Sequence, residues 1–257
     1  MRKRTWRAVR RAPGLLQLVI ALGVLAGLAL AVNGVYQVLR KPTELFFPVS
    51  GALDKVPEET WRRYAPIFRE HATAVATAPF LAALAQVEAA GNPTARTYWR
   101  WSWRPRFFEI YRPASTAVGM YQITDGTFAE ARHLCIHDHR VARDGPWNDW
   151  QACWMNGLYL RVIPNDAVEM VSAYLTANTD ELLARYHRRN ASLQQRQQLA
   201  TLIHLCGAGA AAAYVRQGLQ VAPGQHCGDQ DVAAYLGRVQ VMTRLFAQLQ
   251  ARDTLQR

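Results

Sequence analysis

Acidic side chains are missing from the first part of the chain: residues 1–40 contain no aspartate or glutamate. The same stretch contains seven basic residues, so of the net charge of +11 only +4 belongs to residues 41–257. A nucleic-acid-binding protein concentrates its positive charge in one basic surface. The high pI therefore describes the N-terminus, and we expect no nucleic-acid partner.

Charged residues are also missing from residues 12–39, which follow six basic residues. A helix of that length, at about 1.5 Å per residue, exceeds the roughly 30 Å hydrocarbon core of a membrane. Basic residues before the span and few after it place the N-terminus in the cytoplasm and the rest outside. A cleaved signal peptide is the alternative, because the segment 29–31 resembles a small-residue cleavage site. Apolar residues that continue to Leu39 favour an uncleaved anchor.

Cysteine is scarce, and its four positions all lie in the part expected outside the cytoplasm: Cys135, Cys153, Cys206 and Cys227. An oxidising compartment favours two disulfides, and four cysteines allow three pairings. We favour the local pairs Cys135–Cys153 and Cys206–Cys227, each of which closes a loop worth roughly 3 kcal/mol of stability.

A metal site is the competing interpretation of one cysteine segment. Cys135, His137 and His139, with Cys153 downstream, offer thiolate and imidazole ligands. Their spacing is not a standard zinc pattern, so we predict no metal and no cofactor.

Strand patterns are scarce outside residues 97–113, which predicts a mainly α fold. In that segment Trp99, Trp101 and Trp103 alternate with polar residues, as in a small aromatic β-ribbon. Its tryptophans are open to three interpretations: stacking on sugar rings, contact with the membrane interface, or packing within the protein. We predict one helix that begins near Pro57, a second over 79–88 and a third that Thr124 caps. Three more helices are predicted over 166–186, 192–216 and 230–249, and the second of these is broken at 206–209.

A further set of tryptophans shows helical spacing. Trp147, Trp150 and Trp154 lie at i, i+3 and i+7, which predicts that they pack into the core. Along the chain we expect a basic N-terminus (1–11), a transmembrane helix (12–39), a linker (40–57) and one helical domain (58–252).

Glu88 ends a short apolar helix that starts at Pro79. Apolar neighbours and the negative end of a helix both disfavour the charged form of a carboxyl group. We therefore expect a raised pKa for Glu88, which suits a general acid. An ordinary glutamate reaching water at the helix edge is the alternative.

The order of three motifs resembles that of the lytic transglycosylase domain related to goose-type lysozyme. Glu88 falls on the family's catalytic glutamate, the segment 119–122 on its Gly-Leu-Met-Gln, and Asp231-Val-Ala-Ala-Tyr235-Leu on its late tyrosine motif. The similarity covers about residues 60–245. The chain departs from the pattern at Ala89, where the family has serine, and at 205–209, where the family has Ala-Tyr-Asn-Ala-Gly.

This resemblance implies a lysozyme-like helical domain with the aromatic ribbon as an insertion, preceded by one transmembrane helix. It also implies a periplasmic enzyme of the bacterial inner membrane that cleaves the MurNAc–GlcNAc bond of peptidoglycan, with Glu88 as acid and then base and with a 1,6-anhydro product. Glu109 is the rival catalyst. The predicted substrate-binding residues are Ser115, Gly119, Met120, Tyr121, Gln122 and Tyr235, of which Tyr235 also positions Glu88.

The expected partners are peptidoglycan strands, the inner membrane and an envelope secretion, pilus or division complex. Two other functions stay open. One is a hydrolytic lysozyme-type muramidase, and the other is a non-catalytic peptidoglycan-binding module of an envelope assembly.

Overall fold

The structure is a computed structural model that describes residues 13–46, 50–102 and 109–255. It is mainly helical, as predicted, with small antiparallel strand pairs and an apolar helix at the N-terminal end. The chain divides into two compact units. The first comprises Met1–Leu45 and Thr97–Ser115, and the second comprises Phe46–Arg96 and Thr116–Arg257.

The first unit contains helix α1 (Gly14–Arg40) and strands β1 (Trp99–Trp101) and β2 (Tyr111–Pro113). Helix α1 is long and apolar enough to cross a membrane, a property that signal sequences share. The side chains from Gly14 to Val32 lie almost entirely outside any packed interior. The sequence prediction of an apolar N-terminal helix is therefore confirmed.

The aromatic ribbon packs against the end of α1 within this unit. The Asn33 amide donates to the Tyr111 carbonyl oxygen at 2.6 Å, and the Trp99 indole donates to Glu44 at 2.7 Å. The Tyr111 ring contacts the rings of Trp99 and Trp101. The predicted alternation is present at Trp99 and Trp101, whereas Trp103 lies outside the described residues. The structure thus groups residues 97–115 with α1, whereas the sequence assigned them to the domain 58–252.

The second unit contains the remaining helices and strands. The helices are α2 (Pro57–Glu70), α3 (Ala78–Ala89), α4 (Asp125–Ala131), α5 (Pro164–Arg185), α6 (Leu193–Arg216) and α7 (Val232–Leu255). The strands are β3 (Leu134–His137), β4 (Arg140–Arg143), β5 (His226–Cys227) and β6 (Gln230–Asp231). Short 3-10 helices occupy Ser50–Leu53 and Asn156–Leu158 of this unit, and another covers Pro42–Phe46, most of which belongs to the first unit.

Helix α3 is the central helix of the second unit. Every residue from Phe80 to Ala85 is buried, so the helix is enclosed on all sides. Its alanines allow close approach of α7, against which it packs most extensively, and α2 also lies along it. This packing fixes the helix axis, and Glu88 lies at the end of that axis.

The tryptophans of the 147–154 segment correct the sequence prediction. Trp147 is 85% exposed and Trp150 is 83% exposed, so neither packs into the core. The segment forms turns and no helix, and the Asp149 carboxylate accepts the backbone N–H of Gln151 at 2.9 Å in one of them. The Trp150 and Trp154 rings instead contact each other at the surface.

Candidate active site

The end of α3 fixes the position of Glu88. Ala90 follows the helix with a left-handed backbone (φ 48°), and Gly91 continues it at φ 64°. Their backbone N–H groups bond to the carbonyl oxygens of Gln86 and Ala85, both at 3.0 Å. The cap residue of the helix is Ala90. A side chain on Gly91 would overlap Thr60, so this ending is tightly constrained.

Three helices meet at the Glu88 carboxyl group, whose side chain is 17% exposed. The Tyr235 hydroxyl, from α7, donates a hydrogen bond to Oε1 of Glu88, and this predicted contact is confirmed. His204, from α6, places its Nε2 3.5 Å from the same oxygen and is 9% exposed. In the described part of the chain no hydrogen bond reaches Oε2. Oε2 is therefore the Glu88 oxygen without a hydrogen bond from the described residues.

The expected raised pKa of Glu88 is wrong. Burial does raise it, but the hydrogen bond and charge of His204, the Tyr235 hydrogen bond and the Arg238 charge together hold the pKa of Glu88 below its ordinary value. The expectation was based on the apolar neighbours and the helix end alone. The groups that lower the pKa, on His204, Tyr235 and Arg238, come from other helices. Burial, first, and then the Glu88 charge raise the pKa of Tyr235, so its hydroxyl stays protonated and remains a donor.

His204 is the residue of this centre that the sequence analysis missed. It precedes a kink in α6 at Gly207 (φ 80°, ψ 159°), and the break predicted at 206–209 is thereby confirmed. Cys206 forms a disulfide with Cys227, and Cys135 with Cys153, which confirms the favoured pairing. The Cys135–Cys153 disulfide uses the two thiols that a metal site in the 135–153 segment would require. His204 directly precedes the segment 205–209, where the chain departs from the family pattern, and this position was the one signal in the sequence that could have identified it.

The turn Gly119–Gln122 is a second predicted part of the site, and its residues face inward. Gly119 has φ +80°, and a Cβ there would overlap the carbonyl oxygen of Arg161, so only glycine fits. Met120 and Tyr121 are fully buried, and the Tyr121 hydroxyl donates to the Leu81 carbonyl oxygen at 3.1 Å. We correct their assignment from substrate groove to core, because neither side chain has surface to offer a glycan.

Gln122 also serves the turn. Its backbone is left-handed (φ 47°), and its amide Nε2 donates to the carbonyl oxygens of Gly119 at 2.9 Å and Ala95 at 3.3 Å. The Nε2 group of Gln122, a residue predicted to bind the glycan, is therefore engaged by the backbone. Ser115 belongs to the first unit and Glu88 to the second. The Ser115 carbonyl oxygen accepts from Lys41 and Thr97.

The rival carboxylate Glu109 is engaged in ion pairs. It is buried and lies 3.1 Å from Arg40 and 3.1 Å from Arg112. Guanidinium groups thus occupy both carboxylate oxygens of Glu109, whereas Oε2 of Glu88 accepts no hydrogen bond from the described residues. Glu88 is therefore the better candidate of the two.

A partly exposed carboxylate with one unengaged oxygen, a neutral phenol donor and an imidazole can exchange a proton with a bound ligand. Comparison with known proteins identifies no relative: no family model, no curated protein and no solved structure matches this chain.

Proposed function

We propose that the chain is a membrane-anchored, periplasmic peptidoglycan lytic transglycosylase with Glu88 as its single acid–base residue. The observation that carries the proposal is the hydrogen bond from Tyr235 to Glu88, which joins residues 147 positions apart. The family resemblance assigned these two residues to one site from the sequence alone. A lysozyme-like fold of the second unit is part of the same proposal, and its central α3 helix ending at Glu88 supports it.

The proposed reaction uses one carboxyl group twice. Protonated Glu88 gives its proton to the oxygen between MurNAc and GlcNAc, and the bond from that oxygen to MurNAc C1 breaks. The MurNAc acetamido group stabilises the electron-poor C1. The Glu88 carboxylate then removes the proton of the C6 hydroxyl, and the C6 oxygen bonds to C1. The product is a 1,6-anhydro ring, Glu88 is protonated again, and no water is consumed.

The contacts of Glu88 favour the second step over the first. Because His204, Tyr235 and Arg238 stabilise the carboxylate, the form that accepts the C6 proton predominates near neutral pH. The acid step then draws on the smaller protonated population. We expect the rate to rise as the pH falls toward the titration of Glu88.

The location also belongs to the proposal. An apolar helix that is able to span a membrane and two disulfides support a domain outside the cytoplasm. The inner membrane and peptidoglycan are the proposed partners, and an envelope secretion, pilus or division complex is the proposed setting.

Product mass tests the proposal. The full chain in detergent is incubated with purified sacculi, and soluble fragments are analysed by mass spectrometry. A lytic transglycosylase releases 1,6-anhydro-MurNAc ends, whereas a hydrolytic muramidase releases reducing ends that are heavier by one water. Reducing ends alone would reject the lytic reaction.

A non-catalytic peptidoglycan-binding module is the second candidate, and two observations favour it. The carboxylate form of Glu88 is stabilised, and Ala89 supplies no hydroxyl to orient it. This candidate predicts that the chain co-sediments with sacculi and releases no soluble fragment between pH 4 and pH 8.

A further inference from the structure

The contact between His204 and Glu88 joins two titratable groups in a partly enclosed site. Nε2 of His204 lies 3.5 Å from Oε1 of Glu88, and both side chains are mostly buried. Charges at this distance interact more strongly there than at a fully exposed surface. The charge of one group therefore changes the protonation of the other.

Two groups of α7 also act on Glu88. Tyr235 donates to the same Glu88 oxygen and is neutral, and Arg238 is a permanent cation whose guanidinium lies 5.4 Å from the centre of the Tyr235 ring. Neither group changes charge between pH 5 and 8. An imidazole is the side chain that does so in this range.

We propose that His204 is a positioning residue that controls when Glu88 carries a proton. With its imidazole charged, His204 holds Glu88 as a carboxylate. With its imidazole neutral, His204 no longer stabilises that carboxylate by its charge. This inference rests on the proposed function for its effect on the reaction, while the coupling itself is a property of the two side chains.

The direction of the pH effect follows from counting protons on the pair. When the pair holds one proton and the imidazole keeps it, Glu88 is the carboxylate and cannot protonate the glycosidic oxygen. Replacing the imidazole by an amide removes this competition. The variant then has more protonated Glu88 than the wild type at low pH, and an equal amount where the imidazole is neutral.

The first experiment compares His204→Gln with the wild type as full chains in detergent on sacculi. We expect the ratio of variant to wild-type rate to be close to one at pH 8 and about tenfold higher at pH 5. A ratio that is the same at both pH values, or that is lower at pH 5 than at pH 8, overturns the inference. Misfolding would lower the rate at every pH, and a second variant, His204→Asn, is expected to show the same trend.

The second experiment needs no activity. Carbon-13 NMR of glutamate carboxyl groups in the full chain follows the titration of Glu88, and Glu88→Gln identifies its signal. We expect the pKa of Glu88 to rise in His204→Gln, and to stay unchanged in His137→Gln, which replaces an exposed histidine. An unchanged Glu88 titration in His204→Gln overturns the inference. A shifted titration without glycan cleavage instead leaves the coupling intact and rejects the proposed function.

Discussion

The Glu88 centre and the Gly119–Gln122 turn were both predicted to bind the substrate, and they differ in what their side chains face. At Glu88, groups from three helices converge on a carboxyl group that keeps one oxygen without a hydrogen bond among the described residues. In the turn, Met120 and Tyr121 are buried and the Gln122 amide bonds to the backbone. The first region contains titratable groups in contact with one another, whereas the side chains of the second maintain the conformation of the turn.

This difference shows that the residues of a sequence motif can have either a chemical role or a conformational role. A carboxylate and its partner are recognised by their chemistry, which requires at least partial access to the ligand. A glycine with positive φ and an amide that closes a turn are recognised by the backbone conformation that they support. Substitutions in the turn should therefore change stability, and substitutions at the centre should change titration and turnover.

The largest stability effect is expected in the turn, at Gly119→Ala. The substitution forces a side chain into a left-handed backbone and against the Arg161 carbonyl oxygen, so we expect a loss of about 3 kcal/mol or more. Gly126→Ala is the matched control, since a Cβ at Gly126 in α4 meets nothing within 4 Å. Urea unfolding of both variants measures the effect. Equal stabilities of the two variants would show that the turn does not require glycine.

Removal of a disulfide should have the next largest effect on stability, and comparing the two disulfides separates an effect on stability from an effect on the rate. The bridged cysteines are 18 and 21 residues apart, so removing either pair by double alanine substitution should cost a similar amount, about 3 kcal/mol. Only the Cys206–Cys227 bridge lies two residues from His204. We therefore expect its removal to change the rate on sacculi of the remaining folded protein, and removal of Cys135–Cys153 to leave that rate unchanged. A rate that responds equally to both would argue against a specific link to the centre.

Tyr235→Phe should have the smallest effect, and one that depends on pH. Because the pKa of folded Glu88 is lowered, its stabilising contribution is present above the ordinary glutamate pKa and is lost as the pH falls through the folded value. A hydrogen bond to a charged group is worth about 2 kcal/mol. We expect a loss of that size at pH 7 and a smaller loss at pH 3, measured by urea unfolding. A loss independent of pH would mean that Tyr235 stabilises the fold without sensing the Glu88 charge.

Much of the helical architecture could be predicted, because the signals are local. Pro57 begins α2 and Thr124 caps α4 through the N–H of Thr127, as expected from the residue types. The glycine-rich break in α6 was visible in the same way. Such features depend on a few neighbouring residues, and the second unit preserves them.

Two features were missed, one of them local and the other dependent on distant residues. The hairpin of β3 and β4 turns at Asp138 and His139, both with positive φ, and neither residue type identifies such a turn as strongly as glycine. His204 reaches Glu88 from a helix more than 100 residues later, and no local pattern reports that meeting. The direction of the Glu88 pKa shift depends in part on this contact, so it could not be derived from the local sequence around Glu88.

The most direct measurement of the central claim compares Glu88→Gln with Glu109→Gln, the two carboxylates considered as catalysts. Each full chain is assayed on sacculi at equal amounts of folded protein, and anhydro-muropeptides are quantified by mass spectrometry. Loss of an acid–base residue typically costs about 100-fold to 10,000-fold in rate. We predict a loss of that size for Glu88→Gln and a retained rate for Glu109→Gln, whereas undiminished release by Glu88→Gln would contradict the assignment.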